Sequence, residues 1–547
     1  MSTTHDGYRR LREIARRAMI ERGLAPDFPD AALRQLALIQ LPADRGGAAD
    51  LRERLWCSID NDDSRDLDQL TVADELPSGE TKVFVAIADV DALVAAGSAI
   101  DGHAQRNTTS VYTAAQIFSM LPEKLSTDLT SLCEGQDRTA VVTEMVVAPD
   151  GSLVGGTIYR AVVRNKAKLA YHGVADWLDG KAAMPAKAAA VSGMAAQLRL
   201  QRRVSQAMKE RRHEHGALDL RTLEPRALVS DGQIVGLEQE LSNCARELIE
   251  DFMIGANGVS ARFLDERRSP SLRRVVRSPK RWNRIVEVAA EHGGTLPAEP
   301  DAAALARFLR AQREADPLRF PDLSLTIVKL LGRGEYVAEL PGEKPPGHFG
   351  LAVRDYTHST APNRRYPDLI TQRLLKAAIN ASAVPYGEDE LDWLASHCTQ
   401  QEDAASKVER RVRKSAAALF LSGRLGETFD ALVTGAAEKG TWVRILDPPV
   451  EGKLVAGTRG LDVGHRLRVK LVSVDIDQGF IDFVRVQRRS RSKASITAAQ
   501  RARRHEVDED GVISSPPEDG LVGVALHHPR QLTQDPFADD QPGEQRH

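Results

Sequence analysis

Three regimes of hydrophobic patterning succeed one another along the chain. Over residues 1–50 the apolar positions Tyr8, Leu11, Ile14, Ala15 and Met19 recur at helical spacing, with Arg9, Arg10, Arg12, Arg16 and Arg17 between them. Residues three and four apart share a helix face, so this spacing predicts a helix with one buried and one basic side, and a second helix is expected over 31–38. Residues 51–416 mix two periods. Alternation predicts strands over 82–90, 140–148 and 157–164, and the turn signal Asp150-Gly151 joins the last two as a hairpin. Helical periodicity covers 187–213, 244–267, 278–291, 302–311 and 367–379. Residues 426–486 change again, to short alternating stretches at 429–435, 440–445, 450–455, 464–474 and 480–484 with Gly and Asp turns. Five such strands predict a small barrel of the OB type, which offers a platform to single-stranded nucleic acid. Trp442 and Phe429 are its candidate stacking residues. After 486 the patterning stops. A basic run at 488–493, an acidic run at 506–510 and a Pro-, Asp- and Gln-rich end predict a disordered charged tail over 487–547. The expected class is α+β: one large domain, a small helical segment before it and an OB-fold barrel after it.

Composition narrows the class without naming a function. With 42% apolar and 28% charged residues, the chain has the make-up of an ordinary globular protein. No run approaches the roughly 18 apolar residues of a membrane span, and the opening Met1-Ser2-Thr3-Thr4-His5-Asp6 does not resemble a secretory signal. The four cysteines, Cys57, Cys133, Cys244 and Cys398, lack any C-x-x-C spacing and read as reduced thiols of a cytoplasmic protein. Neither a membrane nor an organic cofactor is expected, and the chain is read as a monomer. A net charge of −3 does not advertise a nucleic-acid binder, although a local basic groove can coexist with an acidic site.

The chemistry concentrates in Ser58-Ile59-Asp60-Asn61-Asp62-Asp63-Ser64-Arg65-Asp66-Leu67-Asp68-Gln69-Leu70, where five carboxylates fall within nine positions. Crowded hard oxygens repel one another unless a cation sits among them, and they suit Mg²⁺ or Mn²⁺ and not zinc. A solvated Asp/Asn-rich loop is the plain alternative. An EF-hand fails, because counting from Asp60 the sixth position is Arg65 where Gly is required and the twelfth is Thr71 where Glu is required. Ile59, Leu67 and Leu70 thread apolar anchors through the acids, which favours a metal site over a loop tip.

Ile59-Asp60, Arg65-Asp66-Leu67-Asp68 and the following Val85-Ala86-Ile87-Ala88-Asp89-Val90 resemble the opening of the RNB catalytic domain of RNase II/RNase R exoribonucleases. The resemblance implies hydrolysis of single-stranded RNA from its 3′ end to 5′-mononucleotides, with Mg²⁺ (Mn²⁺ as the alternative) held by four acidic positions. Asp60, Asp66 and Asp68 match three of these; Gln69 stands where the family usually has Asp, which implies a weaker ligand and a raised metal requirement. Tyr356-Thr357-His358-Ser359-Thr360-Ala361-Pro362-Asn363-Arg364-Arg365-Tyr366-Pro367-Asp368-Leu369 is similar to the family's late signature, departing from it at Ser359, Ala361 and Asn363. By that match Arg364 contacts the scissile phosphate, a role that suits its planar fork. Arg364 and Asp68, with Asp66, are the implied catalytic residues.

The same resemblance places Tyr112 against bases near the 3′ end, Tyr171 against the terminal nucleotide, and Glu250 on the terminal ribose, with Asp251 as the neighbouring alternative. Leu220 stands where some members have a base-clamping Phe. The seven-residue spacing of Glu250 and Asn257 puts them on one helical face. The domain reading is therefore 1–50 helical, without the cold-shock barrel usual in the family; 51–416 RNB; 426–486 an OB-fold like the ribosomal-protein-S-one type; and 487–547 tail. Two alternatives remain: an RNA-binding protein with a degenerate, inactive RNB domain, and an enzyme that trims particular RNA 3′ ends.

Overall fold

The computed structural model describes residues 2–486, less 41, 44, 45, 221–224, 231, 232, 240, 241, 345, 438 and 439. The expected tail over 487–547, with its basic and acidic runs, lies outside the described residues. Residues 1–486 form one compact unit.

A seven-stranded sheet is the frame. Its strands, read across, are Ala49–Asp50, Leu153–Arg164, Asp137–Val147, Thr81–Ala88, Gln69–Glu75, Cys57–Asp60 and Ala167–Ala170. The inner pairs are antiparallel, and the short edge strands Ala49–Asp50 and Ala167–Ala170 pair in parallel. The Val83 to Ala88 run is buried at every position, because both sheet faces are covered. Asp150-Gly151 makes the expected hairpin turn, with Gly151 at φ +82 where the Ala207 carbonyl leaves no room for a Cβ.

Helices Met194–Glu214 and Cys244–Glu266 pack on each other and on the sheet. The single helix expected over 187–213 is two, Ala186–Ala189 and Met194–Glu214, broken at Gly193 with φ +85. Trp56, Phe84, Phe252 and Tyr366 are fully buried in the resulting core. Helices Trp282–Glu291, Ala302–Ala315 and Phe320–Leu331 form a separate apolar cluster.

The pattern did not reveal the longest helix, Glu388–Leu421, 34 residues long. Its buried stripe is dominated by small residues such as Ala395, Ala404, Ala405 and Ala416, so its periodic signal is faint. Helix Ser2–Glu21 lies along it, burying Leu11, Ala15, Ala18 and Met19 against Ala405, Val408 and Val412. A hairpin of Pro225–Ser230 and Gln233–Gln239 packs nearby.

The C-terminal barrel is as expected. Strands Thr428–Ala437, Gly440–Ile445, Glu451–Ala456, Phe480–Arg485 and Arg466–Asp475, in that order, close on themselves. Its core extends to Ala417, Ala418 and Leu421, so the long helix seats it. Phe429 belongs to that core at 6% exposure, edge-on to Phe483, and the expectation that it stacks on bases is corrected. Trp442 is half-buried and lies across Gly435 and Gly440, leaving it available as a stacking surface. The four cysteines are free thiols, and no described helix is long and apolar enough to cross a membrane.

Candidate active site

Two segments almost 300 residues apart in sequence meet at the end of strand Cys57–Asp60. Asp60 closes that strand, and Cys57 pairs with Thr71 on the antiparallel return. The acidic loop between is thus slung from the core, with Ile59, Leu67 and Leu70 buried as its anchors. Asp60 Oδ1 accepts hydrogen bonds from the Asn61 N–H at 2.8 Å and the Ser64 hydroxyl at 3.0 Å. Ser131 pins the far limb, accepting from the Leu67 N–H at 3.0 Å and donating to the Arg65 carbonyl at 2.8 Å.

The late signature arrives as a loop leading into helix Tyr366–Ile379, with Pro367 in its first turn as expected. Buried Asp368 shapes this loop: it accepts from the Thr360 and Ala361 N–H groups, both at 2.8 Å, and from the Arg365 fork. Asn257 accepts from the Ser359 N–H at 2.9 Å. The Arg364 carbonyl accepts from the Ser110 N–H at 2.9 Å. With its backbone held on three sides, Arg364 sets its Nε 3.0 Å from Asp68 Oδ2. The Asn363 N–H takes the other Asp68 oxygen at 3.2 Å. Asp68 is 1% exposed while the Arg364 side chain is 46% exposed, so the pair runs from the core to the surface of a cleft.

Burial dominates the electrostatics. It pushes Asp68 up to about 7, against the pull of Arg364 and with the Asp66 charge adding to the rise. Asp66 is also raised by burial, with the Asp60 charge adding. The donor chemistry fits a hard divalent cation: Asp60, Asp66 and Asp68 are oxygen donors close together on one acidic loop. Among the described residues, however, no three His, Cys, Asp or Glu side chains converge into a ready cage. Gln69 is buried at the start of strand Gln69–Glu75, on the face it shares with Thr71.

A cavity of ≈ 930 Å³ opens beside the acids. Asn61, Asp62, Asp63, Tyr112 and Tyr171 line it, so the structure brings both expected aromatics to the acidic loop. The Tyr112 hydroxyl reaches Asp66 Oδ2 at 3.5 Å. Arg246 lies over the Tyr171 ring, 4.6 Å from its centroid, and donates to Asn61 at 2.7 Å. Glu250 follows Arg246 by one turn on the same helix and is exposed. Asp251 faces inward at 2% exposure, paired with Arg212 and pushed by burial up to about 7, so Glu250 is the one open to a ligand. Leu220 is not brought to this cavity; it packs on the helical cluster around Trp282.

The sequence reading assigned no role to Arg246, Asn257 or Asp368, nor to Glu409, whose carboxylate accepts from the Tyr112 N–H at 2.9 Å. Arg365 and Asp368, three apart at a helix start, carried a local signal of mutual bracing. Glu409 carried none.

Comparison with known proteins gives the same outline. The RNB domain matches residues 48–381, and the RNase II-type exonuclease C-terminal S1 domain matches residues 427–486. Ribonuclease R of Vibrio parahaemolyticus is 28% identical over 522 residues, covering 87% of this chain and 61% of the relative. Ribonuclease R of Thermotoga maritima is 29% identical over 504 residues, covering 84% of this chain and 68% of the relative. The chain thus spans less than two thirds of the first relative's length. Mycoplasma genitalium RNase R, solved in complex with ribose methylated single-stranded RNA, superposes with a TM-score of 0.77 at 23% identity, covering 86% of this chain and 77% of that one, a likeness of fold.

Proposed function

The chain belongs to the RNB-domain family, and from that premise we propose that it is a divalent-metal-dependent exoribonuclease that degrades single-stranded RNA processively from the 3′ end to 5′-mononucleotides. One observation carries the proposal: Arg364, half-exposed in the cleft, is held at 3.0 Å on the buried carboxylate of Asp68. A guanidinium positioned this way can turn its remaining donors to a phosphodiester without losing its orientation. Tyr112 and Tyr171, lining the cavity beside the acidic loop, offer rings on which successive bases stack, each worth about 1–3 kcal/mol. In this reading exposed Glu250, one turn beyond Arg246, accepts from a ribose 2′-hydroxyl, a contact that DNA cannot make.

Asp60, Asp66 and Asp68 are the residues that would hold the cation, Mg²⁺ or Mn²⁺. When bound, it supplies an activated water and offsets charge on the phosphate. The chain's own part is to hold those carboxylates, Asp68 buried and Asp60 and Asp66 half-buried, aim Arg364, and keep the strand's end in register. As proposed, RNA and the metal are the only partners and the protein acts as a monomer in the cytoplasm.

The test is incubation of 5′-labelled oligo(A) with Mg²⁺, resolving products with time. Full-length RNA passing into a short 5′-labelled end product with few intermediates is expected, and with uniformly labelled RNA the release of 5′-mononucleotides. Tight binding without cleavage would instead establish the inactive RNA-binding protein.

A further inference from the structure

The cleft aromatic Tyr112 stands on very little of its own structure. It belongs to a hairpin whose strands, Val111–Tyr112 and Ile117–Phe118, are two residues each. Isolated ribbons of this size are not stable in water, so its geometry must come from outside. One support is Glu409 on the long helix, which accepts from the Tyr112 N–H. A second is the Arg364 carbonyl, which accepts from the Ser110 N–H just before the hairpin, and a third is the N-terminal helix Ser2–Glu21. Its Tyr8 hydroxyl donates to the Ala115 carbonyl at 2.8 Å, and Arg12 Nε reaches the same oxygen at 3.4 Å. Arg12 also lies over the Tyr8 ring, 5.0 Å from its centroid. Beneath these donors, Val111, Ala115 and Phe118 share one buried cluster with Leu11, Ala15 and Met19 of the helix. Just past the helix, Ala25 exchanges two hydrogen bonds, both 2.8 Å, with the Asn107 side chain, which precedes the hairpin.

We propose that the N-terminal helix is a positioning element of the substrate cleft: through Tyr8 and Arg12 on the Ala115 carbonyl, it fixes the hairpin that carries Tyr112 and so sets how the last bases of a single-stranded RNA are held. The inference rests on the RNA-degrading function proposed for the same cleft. Glu409 and the Arg364 carbonyl hold the strand of Val111 and Tyr112, and apolar packing covers the turn without fixing it. Two donors on one carbonyl fix its register, while the opposite side of the hairpin presents Tyr112, 42% exposed, to the cavity and to Asp66. Tyr8 and Arg12 are positioning residues; neither lines that cavity.

Tyr8→Phe removes one hydroxyl and leaves the packed ring, so the fold is kept. The variant is compared with wild type, Tyr112→Ala and the double variant by two readouts. One is the length of the final undegraded oligonucleotide. The other is affinity for a short labelled oligo(A) in EDTA, where no chemistry runs. Loss of one hydrogen bond predicts about two- to tenfold weaker binding of the short oligonucleotide. The final product should change length in the same sense as in Tyr112→Ala, with kcat on long RNA held. On the Tyr112→Ala background Tyr8→Phe should add nothing. Wild-type end products and affinity in Tyr8→Phe, or an undiminished effect on the Tyr112→Ala background, would overturn the inference alone. Failure of wild type itself to shorten oligo(A) would overturn the function on which it rests.

Discussion

Asp68 is where charge, burial and function compete at a single residue. Asp68→Asn keeps shape but deletes one negative charge. Turnover should fall by orders of magnitude in single-turnover degradation of labelled oligo(A), because a poorly held cation cannot activate water. RNA affinity should hardly change, since Tyr112, Tyr171 and the barrel are untouched; cleavage at the wild-type rate would show that the metal site lies elsewhere. The same carboxylate has a second, metal-free signature. Its folded-state value is raised to about 7, so the folded protein holds a proton that the unfolded chain releases near pH 4. Its contribution to stability is therefore complete at low pH and is lost as pH rises through about 7. In EDTA, Tm should drop by several degrees between about pH 5.5 and pH 8, and part of that drop should vanish in Asp68→Asn. Asp251, raised in the same way, accounts for a further share. Gln69→Asp tests the neighbouring position: an anionic ligand in place of a neutral amide should lower the Mg²⁺ concentration for half-maximal activity. An unchanged metal titration would mean that Gln69 is not at the site.

At the level of elements, legibility followed the physics of each signal. The five barrel strands and the helix Trp282–Glu291 were visible because each has one wet and one dry side, and alternation or helical period marks such elements directly. The 34-residue helix Glu388–Leu421 was not, because an alanine-rich stripe buries by closeness of approach more than by hydrophobicity. The hairpin Pro225–Gln239 escaped for a different reason: its contacts are to the two terminal helices, far away in sequence. The acidic stretch and the late signature could each be read locally, and the resemblance joined them. What the sequence could not supply was the third dimension of their meeting: the Asn363 N–H on Asp68, the Asp368 clasp of the loop, and the Glu409 grip on the Tyr112 hairpin. Each pairs a common residue type with a partner that only the fold selects. The same logic separates Trp442 from Phe429. Both are strand aromatics, but the neighbouring glycines Gly435 and Gly440 let Trp442 lie flat on the barrel surface.

For the whole molecule, the proposed function divides the chain into parts that would grip RNA and parts that would cut it. The seven-stranded sheet carries Asp60 and slings the loop of Asp66 and Asp68, which Arg364 meets, whereas the barrel is joined to it through the end of the long helix and a few ion pairs. Arg444 of the barrel pairs with Asp322 at 2.7 Å, and Asp477 pairs with Arg10 of the N-terminal helix. Neither ion pair reaches the cleft. Removing residues 426–547 should therefore cost affinity more than chemistry. Weaker binding and a shallower dependence of log affinity on log salt are expected, since each lost phosphate contact lowers the single-strand slope by about 0.7. At saturating RNA, kcat should stay within a few-fold of wild type. The truncated protein should also melt at a lower temperature, because Ala417, Ala418 and Leu421, now buried against the barrel, would face water. Titrations of labelled oligo(A) at several salt concentrations, beside turnover at saturation, separate the two effects. Full affinity with an unaltered salt slope would refute the barrel as an RNA platform, while lost turnover at saturation would mean that the barrel also orders the catalytic cleft.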